Sequence, residues 1–273
     1  MFLFYTNLVA ASTKYWEHWY DYSIEVDVHP SFQIFSDNSP SSSRIRQNIS
    51  SVSDFEITAE QVLRAQGSDP EALLQRKPAL YSMTQKAIQV VVEEASPQLF
   101  FLFQPITKKD HLFIHLGETV RLRGKSIERA IRPADSVIAA IFTIGPFVEN
   151  HVAKIFREDP AFALAMDTAA SYFIDRMGAV LCQAVDIFVQ SNKEKTGIPI
   201  SPGAMDWDVL TGQPQLFSLF SGFDLPITIN FSGMMTPQKS MSMLIPFGKQ
   251  LDQTGKPCDF CSMSATCKFK EAV

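Results

Sequence analysis

Ile198-Pro-Ile-Ser-Pro-Gly203 and Gly233-Met-Met-Thr-Pro-Gln-Lys-Ser-Met-Ser-Met243 are two stretches of restricted backbone geometry in a chain of 273 residues, and the segment from Gly197 to Lys249 that contains them decides the fold. In the first, Pro199 and Pro202 pin φ and remove backbone donors. Gly203 permits a turn or a close ligand approach that a side chain would block, so helix is excluded there. After Trp207, the spacing of Leu210, Leu216, Phe217, Leu219 and Phe220 suits a short helix, and Asp224-Leu-Pro-Ile-Thr-Ile-Asn-Phe231 reads as a buried strand. The second stretch is a turn that runs into a strand. Alternation there puts Ser240 and Ser242 on one face, and Met241 and Met243 on the other.

Working outward, a composition of 46% hydrophobic and 19% charged residues supports one substantial core with appendages. A net charge of -5 and a pI near 5.6 argue against a nucleic-acid surface, which needs clustered Lys and Arg. No apolar run approaches the roughly 20 residues that span a bilayer, so a cytoplasmic protein without membrane or nucleic-acid partners is expected. Residues 1–22 are dense in aromatics (Phe2, Phe4, Tyr5, Tyr15, Trp16, Trp19, Tyr20, Tyr22), and the first positive side chain is Lys14, which argues against a signal peptide. That extension either packs on the body or forms a docking arm. Ser36 to Ser53, rich in Ser, Asn, Asp and Pro, reads as a linker. The expected organisation is an extension over residues 1–53, an α+β domain over 54–250 and a cysteine-rich tail over 251–273.

Within the domain, Thr58-Ala-Glu-Gln61 is a capping box for a short helix to about Gln66. Pro70 suits a new first turn, and Lys77 to Glu94 predicts an amphipathic helix with Leu80, Met83, Ala87, Val90 and Val91 inward. Leu99 to Phe103 and His111 to Leu116 read as strands around a turn at residues 105–110. His111 and His115 then share a face, as ordinary sheet histidines rather than metal ligands, since no third ligand lies near. Ser126 to Arg132 fits a helix, and Ser136 to Ile144 a strand that ends at Gly145, a turn-making residue or an anion-receiving one.

Asp159-Pro160 opens the longest helix, to about Asn192. Met166, Ala170, Phe173, Met177, Leu181, Ala184 and Phe188 form its apolar stripe. Beside it runs a small and polar row of Ser171, Asp175, Gly178, Cys182 and Asp186. This row is either the solvent boundary of the helix or the wall of a groove, with Asp175 available to a ligand amine or hydroxyl.

Three of the four cysteines, Cys258, Cys261 and Cys267, lie within ten residues of one another in the tail, a spacing suited to zinc or an iron–sulfur cluster. The fourth ligand is missing locally, with Cys182, a partner's side chain or a small molecule as candidates, and a disulfide or free thiols as the alternative. The chain has no phosphate-binding or dinucleotide motif, no nucleophile elbow and no zinc-protease motif, and no catalytic acid–base or nucleophile set emerges.

Ser201-Pro-Gly203 and Met235-Thr-Pro-Gln-Lys-Ser-Met-Ser242 resemble the two motifs of the reactivation (activation) domain of cobalamin-dependent methionine synthase, particularly its short stand-alone relatives from anaerobes. In that family a Pro-Gly turn lies ahead of a helix, and a Met-x-Pro-x-x-Ser-x-Ser segment lies on the sheet edge. The resemblance extends over about residues 55 to 249, and takes in the Thr-Ile-Gly turn at residues 143–145 and an Asp-x-x-Gly feature at Asp175 and Gly178. It implies an α+β fold, a mostly antiparallel twisted sheet with long helices packed on it. It also implies a corrinoid-protein reactivation or docking module that supports S-adenosylmethionine-dependent reductive methylation of a partner's cobalamin.

On that resemblance Ser201, Pro202, Gly203, Met235, Pro237, Ser240, Ser242 and Asp175 are the cofactor-binding candidates. A corrinoid protein or methyltransferase and an electron donor are the implied partners, and cysteine tails on some relatives agree with a cluster at Cys258, Cys261 and Cys267. The large synthases carry an Arg and a Tyr that contact S-adenosylmethionine where this chain has Pro199 and Ala204. That departure supports an alternative, a non-catalytic assembly subunit of an anaerobic corrinoid methyl-transfer system.

Overall fold

Local chemistry sets the first helices. In a computed structural model of the chain, residues 57–204 and 206–251 are described, together with Phe55 and the backbone of residues 44–48. After β1 (Arg44–Asn48), the capping box forms at the start of α1 (Ala59–Ala65). Thr58 N donates to Gln61 Oε1 at 2.9 Å, and Gln61 N to Thr58 Oγ1 at 3.3 Å. Pro70 and Pro78 occupy the first turns of α2 (Pro70–Arg76) and α3 (Pro78–Glu94), where a missing N–H removes no helical hydrogen bond.

The body is an antiparallel sheet. Its strands are β2 (Gln98–Lys109), β3 (Ile114–Leu116), β4 (Val120–Leu122), β5 (Ser136–Thr143), β6 (Lys195–Thr196) and β9 (Ser240–Gly248), in the order β4-β3-β2-β5-β9-β6. The first half of β2 also pairs with β1, which falls inside the stretch read as a linker. A separate hairpin joins β7 (Thr228–Ile229) to β8 (Met235–Thr236). Helices α4 (Lys125–Ile131), α5 (Phe147–Ile155), α6 (Pro160–Ser191) and α7 (Val209–Leu219) complete the described elements.

Because successive strand residues point to opposite faces, the central strands feed two cores. Leu99 and Phe101 of β2, Ile138, Ala140 and Phe142 of β5, and Met243 and Ile245 of β9 meet α1, α3 and α6. There Phe55 and Phe173 pack with ring centroids 5.5 Å apart. Phe100, Leu102, Val137, Ala139, Ile141 and Leu244 face the other way, onto Ile127 and Ile131 of α4, Leu216 of α7, and Trp207, Phe220 and Ile227. The α+β fold with a mostly antiparallel sheet and long helices on it therefore stands.

Several local expectations are corrected. Residues 105–109 continue β2 instead of turning: Pro105, opposite Ser136 at the start of β5, needs no ladder donor, and a register shift between Ile106 and Lys108 lets the strand change partners to β3. His111 therefore lies outside the strand and exposed, while His115 Nε2 is 2.8 Å from Asp110 Oδ2, so the two histidines do not pair. Asp110, which also accepts from the Leu112 and Phe113 amides, is held well below the usual carboxylate range by these donors. In α3 the buried side is Tyr81, Thr84, Ala87, Ile88 and Val91, and Leu80 is 39% exposed. Of residues 224–231 only Thr228–Ile229 is strand, and Phe231 stands 98% exposed at the hairpin tip.

Candidate functional site

The Pro-Gly turn is joined to the sheet by a two-bond bridge: Ile200 N donates to Leu244 O at 2.9 Å, and Leu244 N to Ile200 O at 2.8 Å. Gly203, at φ +91°, donates its N–H to Trp207 O at 2.7 Å and closes the bend. Trp207 is buried, with its Nε1 donating to Gln215 Oε1 at 3.0 Å. Asp208 then caps α7, its Oδ1 accepting from Leu210 N at 3.1 Å, which brings Val209 to the first position of the helix.

Val209 is where the two motifs meet. A Cβ added to Gly203 would stand 2.8 Å from Val209 Cγ2, and one added to Gly233, at φ +73°, 2.7 Å from Val209 Cγ1. One half-buried side chain thus packs its two methyl groups against two glycines about thirty residues apart. The hairpin end that carries Gly233 is shaped by Asn230, whose Oδ1 accepts from the Ser232 and Met234 amides at 2.9 and 3.0 Å.

Beyond it the Thr236–Pro237 peptide bond is cis, Pro237 is buried and Met235 packs against the second core. Ser240 Oγ donates to Pro237 O at 2.7 Å. Ser242 Oγ donates to Gln213 Oε1 at 2.9 Å, both residues being buried. Ser201 is 6% exposed and its Oγ has no hydrogen-bond partner.

The structure therefore brings Ser201, Pro202, Gly203, Met235 and Ser242 into one neighbourhood, with Pro237 and Ser240 at its edge. Asp175 stands elsewhere. Helix α6 packs on the face of β9 that carries Met241 and Met243, so alternation puts Asp175 across the sheet from the buried Ser242. Its contact with the second motif runs through Lys239. The Lys239 Nζ lies 2.8 Å from Asp167 Oδ1 and donates to Ser171 Oγ at 2.8 Å, and it pulls the Asp175 carboxyl down against a burial that pushes it up to about 8. The polar row on α6 is thus, in its first half, a seat for a lysine.

Gly145 is a turn-maker: its N–H donates to Thr143 Oγ1 at 3.0 Å and so faces inward, away from any anion. Cys182 lies 3.9 Å from Met243 Sδ, and burial, with Asp186 beside it, pushes its thiol up to about 12. In the metal-free chain that burial disfavours the thiolate. The tail cysteines Cys258, Cys261 and Cys267 lie outside the described residues, as does the aromatic extension 1–22. Among the described residues no group of three or more His, Cys, Asp or Glu side chains suits a metal ion, and no helix is long and apolar enough to cross a membrane.

Reading the sequence missed Val209, Gln213 and Lys239. Lys239 alone carried a signal, as the one charge within the second motif.

No family model and no curated protein sequence matches the chain. Among solved structures it is similar to the crystal structure of the MetH reactivation domain bound to AdoHcy, with a TM-score of 0.55 and 8% identity, over 81% of this chain and 82% of that chain. At that identity the likeness is one of fold.

Proposed function

We propose that the chain is a corrinoid-protein reactivation or docking module, in which the Pro-Gly turn and the serine-bearing edge receive S-adenosylmethionine or part of a partner's cobalamin. The junction of the two motifs carries this reading: the Ile200–Leu244 bridge and the Val209 contacts join them at one place. The shared fold with a domain whose crystal structure holds AdoHcy supports it.

So does Ser201. A buried hydroxyl without a partner costs roughly 1–3 kcal/mol, which a bound polar ligand would remove. The methyl donor and the partner's cobalamin supply the chemistry. This chain's residues bind and orient, with Ser201 offering a donor. Calorimetric titration with S-adenosylmethionine and S-adenosylhomocysteine tests the reading; binding with a Kd below about 1 mM is expected. No heat and no thermal shift at millimolar ligand removes the methyl-donor half.

A second reading, an assembly subunit of a corrinoid methyl-transfer system without methyl-donor binding, is favoured by Pro199 and Ala204 and by the filling of the junction with Val209 and Gln213. It predicts no heat in that titration but co-elution with a corrinoid protein in gel filtration. We further assign Cys258, Cys261 and Cys267 to an iron–sulfur cluster or zinc, on their spacing. Anaerobic purification with metal and sulfide analysis checks this, and a protein free of both iron and zinc would contradict it.

A further inference from the structure

Residues 237–240 are tied down on three sides. The Lys239 carbonyl accepts from Ile144 N and from Thr143 Oγ1, both at 3.1 Å, which fixes the backbone to the end of β5. Gln238 N donates to Glu149 Oε2 on α5 at 2.6 Å. The third tie is the Lys239 ammonium on α6, with its side chain only 12% exposed. These ties cross from the edge of the candidate site to the helical layer on the far face of the sheet.

We propose that Lys239 is the positioning residue of the Met235–Ser242 edge: its ammonium, seated between Asp167 and Ser171 of α6, sets where the edge stands against the Pro-Gly turn. The backbone of this short segment is held at the Lys239 carbonyl, by Ile144 N and Thr143 Oγ1, and at the neighbouring Gln238 amide, by Glu149 Oε2. Those two points lie close together along the chain; the ammonium adds a third on α6, some six bonds from the carbonyl, and that wider separation is what resists a tilt of the edge.

Because the Lys239 ammonium is well screened from water, removing one partner of its ion pair with Asp167 leaves a poorly solvated charge and costs more than breaking a surface pair. The charged groups that act on it are Asp167 and Asp175 of α6, and Glu149 of α5 holds the neighbouring Gln238 amide. A ligand held at Ser201 and the serine-bearing edge would therefore feel the state of α6 through Lys239, without touching it. The proposal rests on the preceding reading only for its ligand readout.

The test compares wild type with Lys239→Met, which keeps the length and removes the charge, and with Lys239→Arg. In Lys239→Met, hydrogen exchange at the Gln238 and Ile144 amides should accelerate by at least about tenfold, while the amides inside β5, such as Ala140, keep their rates. The Asp175 carboxyl should titrate above about 8 by carbon NMR, because the cation that pulls it down is gone. Lys239→Arg should restore both. The double variant Asp167→Asn with Ser171→Ala, which empties the seat and leaves the loop intact, should accelerate the same two amides, and it replaces Lys239→Met if that variant does not fold.

Where wild type binds S-adenosylhomocysteine, both loosened variants should bind about tenfold more weakly. Unchanged exchange at Gln238 and Ile144 in either loosened variant overturns the proposal, whatever Asp175 does. A wild type that binds no S-adenosylhomocysteine defeats the methyl-donor reading alone, and the exchange and titration results still decide the role of Lys239.

Discussion

One face of the sheet is covered by α6, 32 residues long, with α1, α3 and α5 beside it; the other is covered by pieces. Those pieces are α4 with 7 residues, α7 with 11, the bend at residues 198–207 and the loop through Phe220 and Ile227. Strand β9 belongs to both faces, giving Met241, Met243 and Ile245 to the long helix and Ser242 and Leu244 to the pieces. The difference is one of roles: the long helix buries a continuous apolar stripe and confines its polar contacts to the row that seats Lys239, whereas the pieces leave the buried Ser201 and Ser242 hydroxyls and the Val209-packed glycines between them. The candidate site lies on the pieced face for that reason.

Substitutions can break or sharpen this contrast. The largest effect is expected at Phe173, fully buried on α6 against Phe55: Phe173→Ala should cost about 4 kcal/mol in denaturant unfolding, against about 2 to 3 for Leu216→Ala in the pieced layer. Equal costs would mean that both layers are packed alike. Next, Gly233→Ala should destabilise by about 2 kcal/mol, through its positive φ and the 2.7 Å approach to Val209. Combined with Val209→Ala it should recover at least about 0.5 kcal/mol in a double-mutant cycle, and strict additivity would dissolve the junction.

A third measurement concerns Asp175. Its folded pKa of about 8 lies above the unfolded value near 4, so between those limits the folded state binds more protons and stability falls as pH rises through about 8. Asp175→Asn should flatten that decline and leave the protein more stable than wild type at pH 8.5, by about 1–2 kcal/mol. An unchanged pH profile in thermal unfolding would show the carboxyl to be solvated. The smallest pair is the most diagnostic of the site. Ser242→Ala strands the buried Gln213 oxygen and should cost about 1 kcal/mol, whereas Ser201→Ala removes a hydroxyl with no partner and should stabilise by about 1 kcal/mol.

The long-helix face was legible beforehand to within a residue or two. Pro160 at a first turn, a three-and-four spacing sustained to the end of the helix, and the Thr58 capping box are all signals carried by neighbours in the chain. Errors arose where partners are distant. The strand β2 runs through Pro105 because β5 begins opposite it, and Leu80 points outward because α6 approaches α3 from the side of Tyr81 and Ile88. Nothing near either residue announces this.

The candidate site divides in the same way. The two proline-and-glycine stretches, their restricted backbone and the alternation that separates Ser242 from Met243 follow from residue chemistry and a period of two, which act within a few bonds. That Val209 seats both glycines, that Gln213 takes the Ser242 hydroxyl while Ser201 has none to give to, and that Asp175 falls on the far side of the sheet with Lys239 reaching to its helix depended on packing. Contacts between residues tens of positions apart are set by how the layers close on one another, and no local pattern encodes that closure.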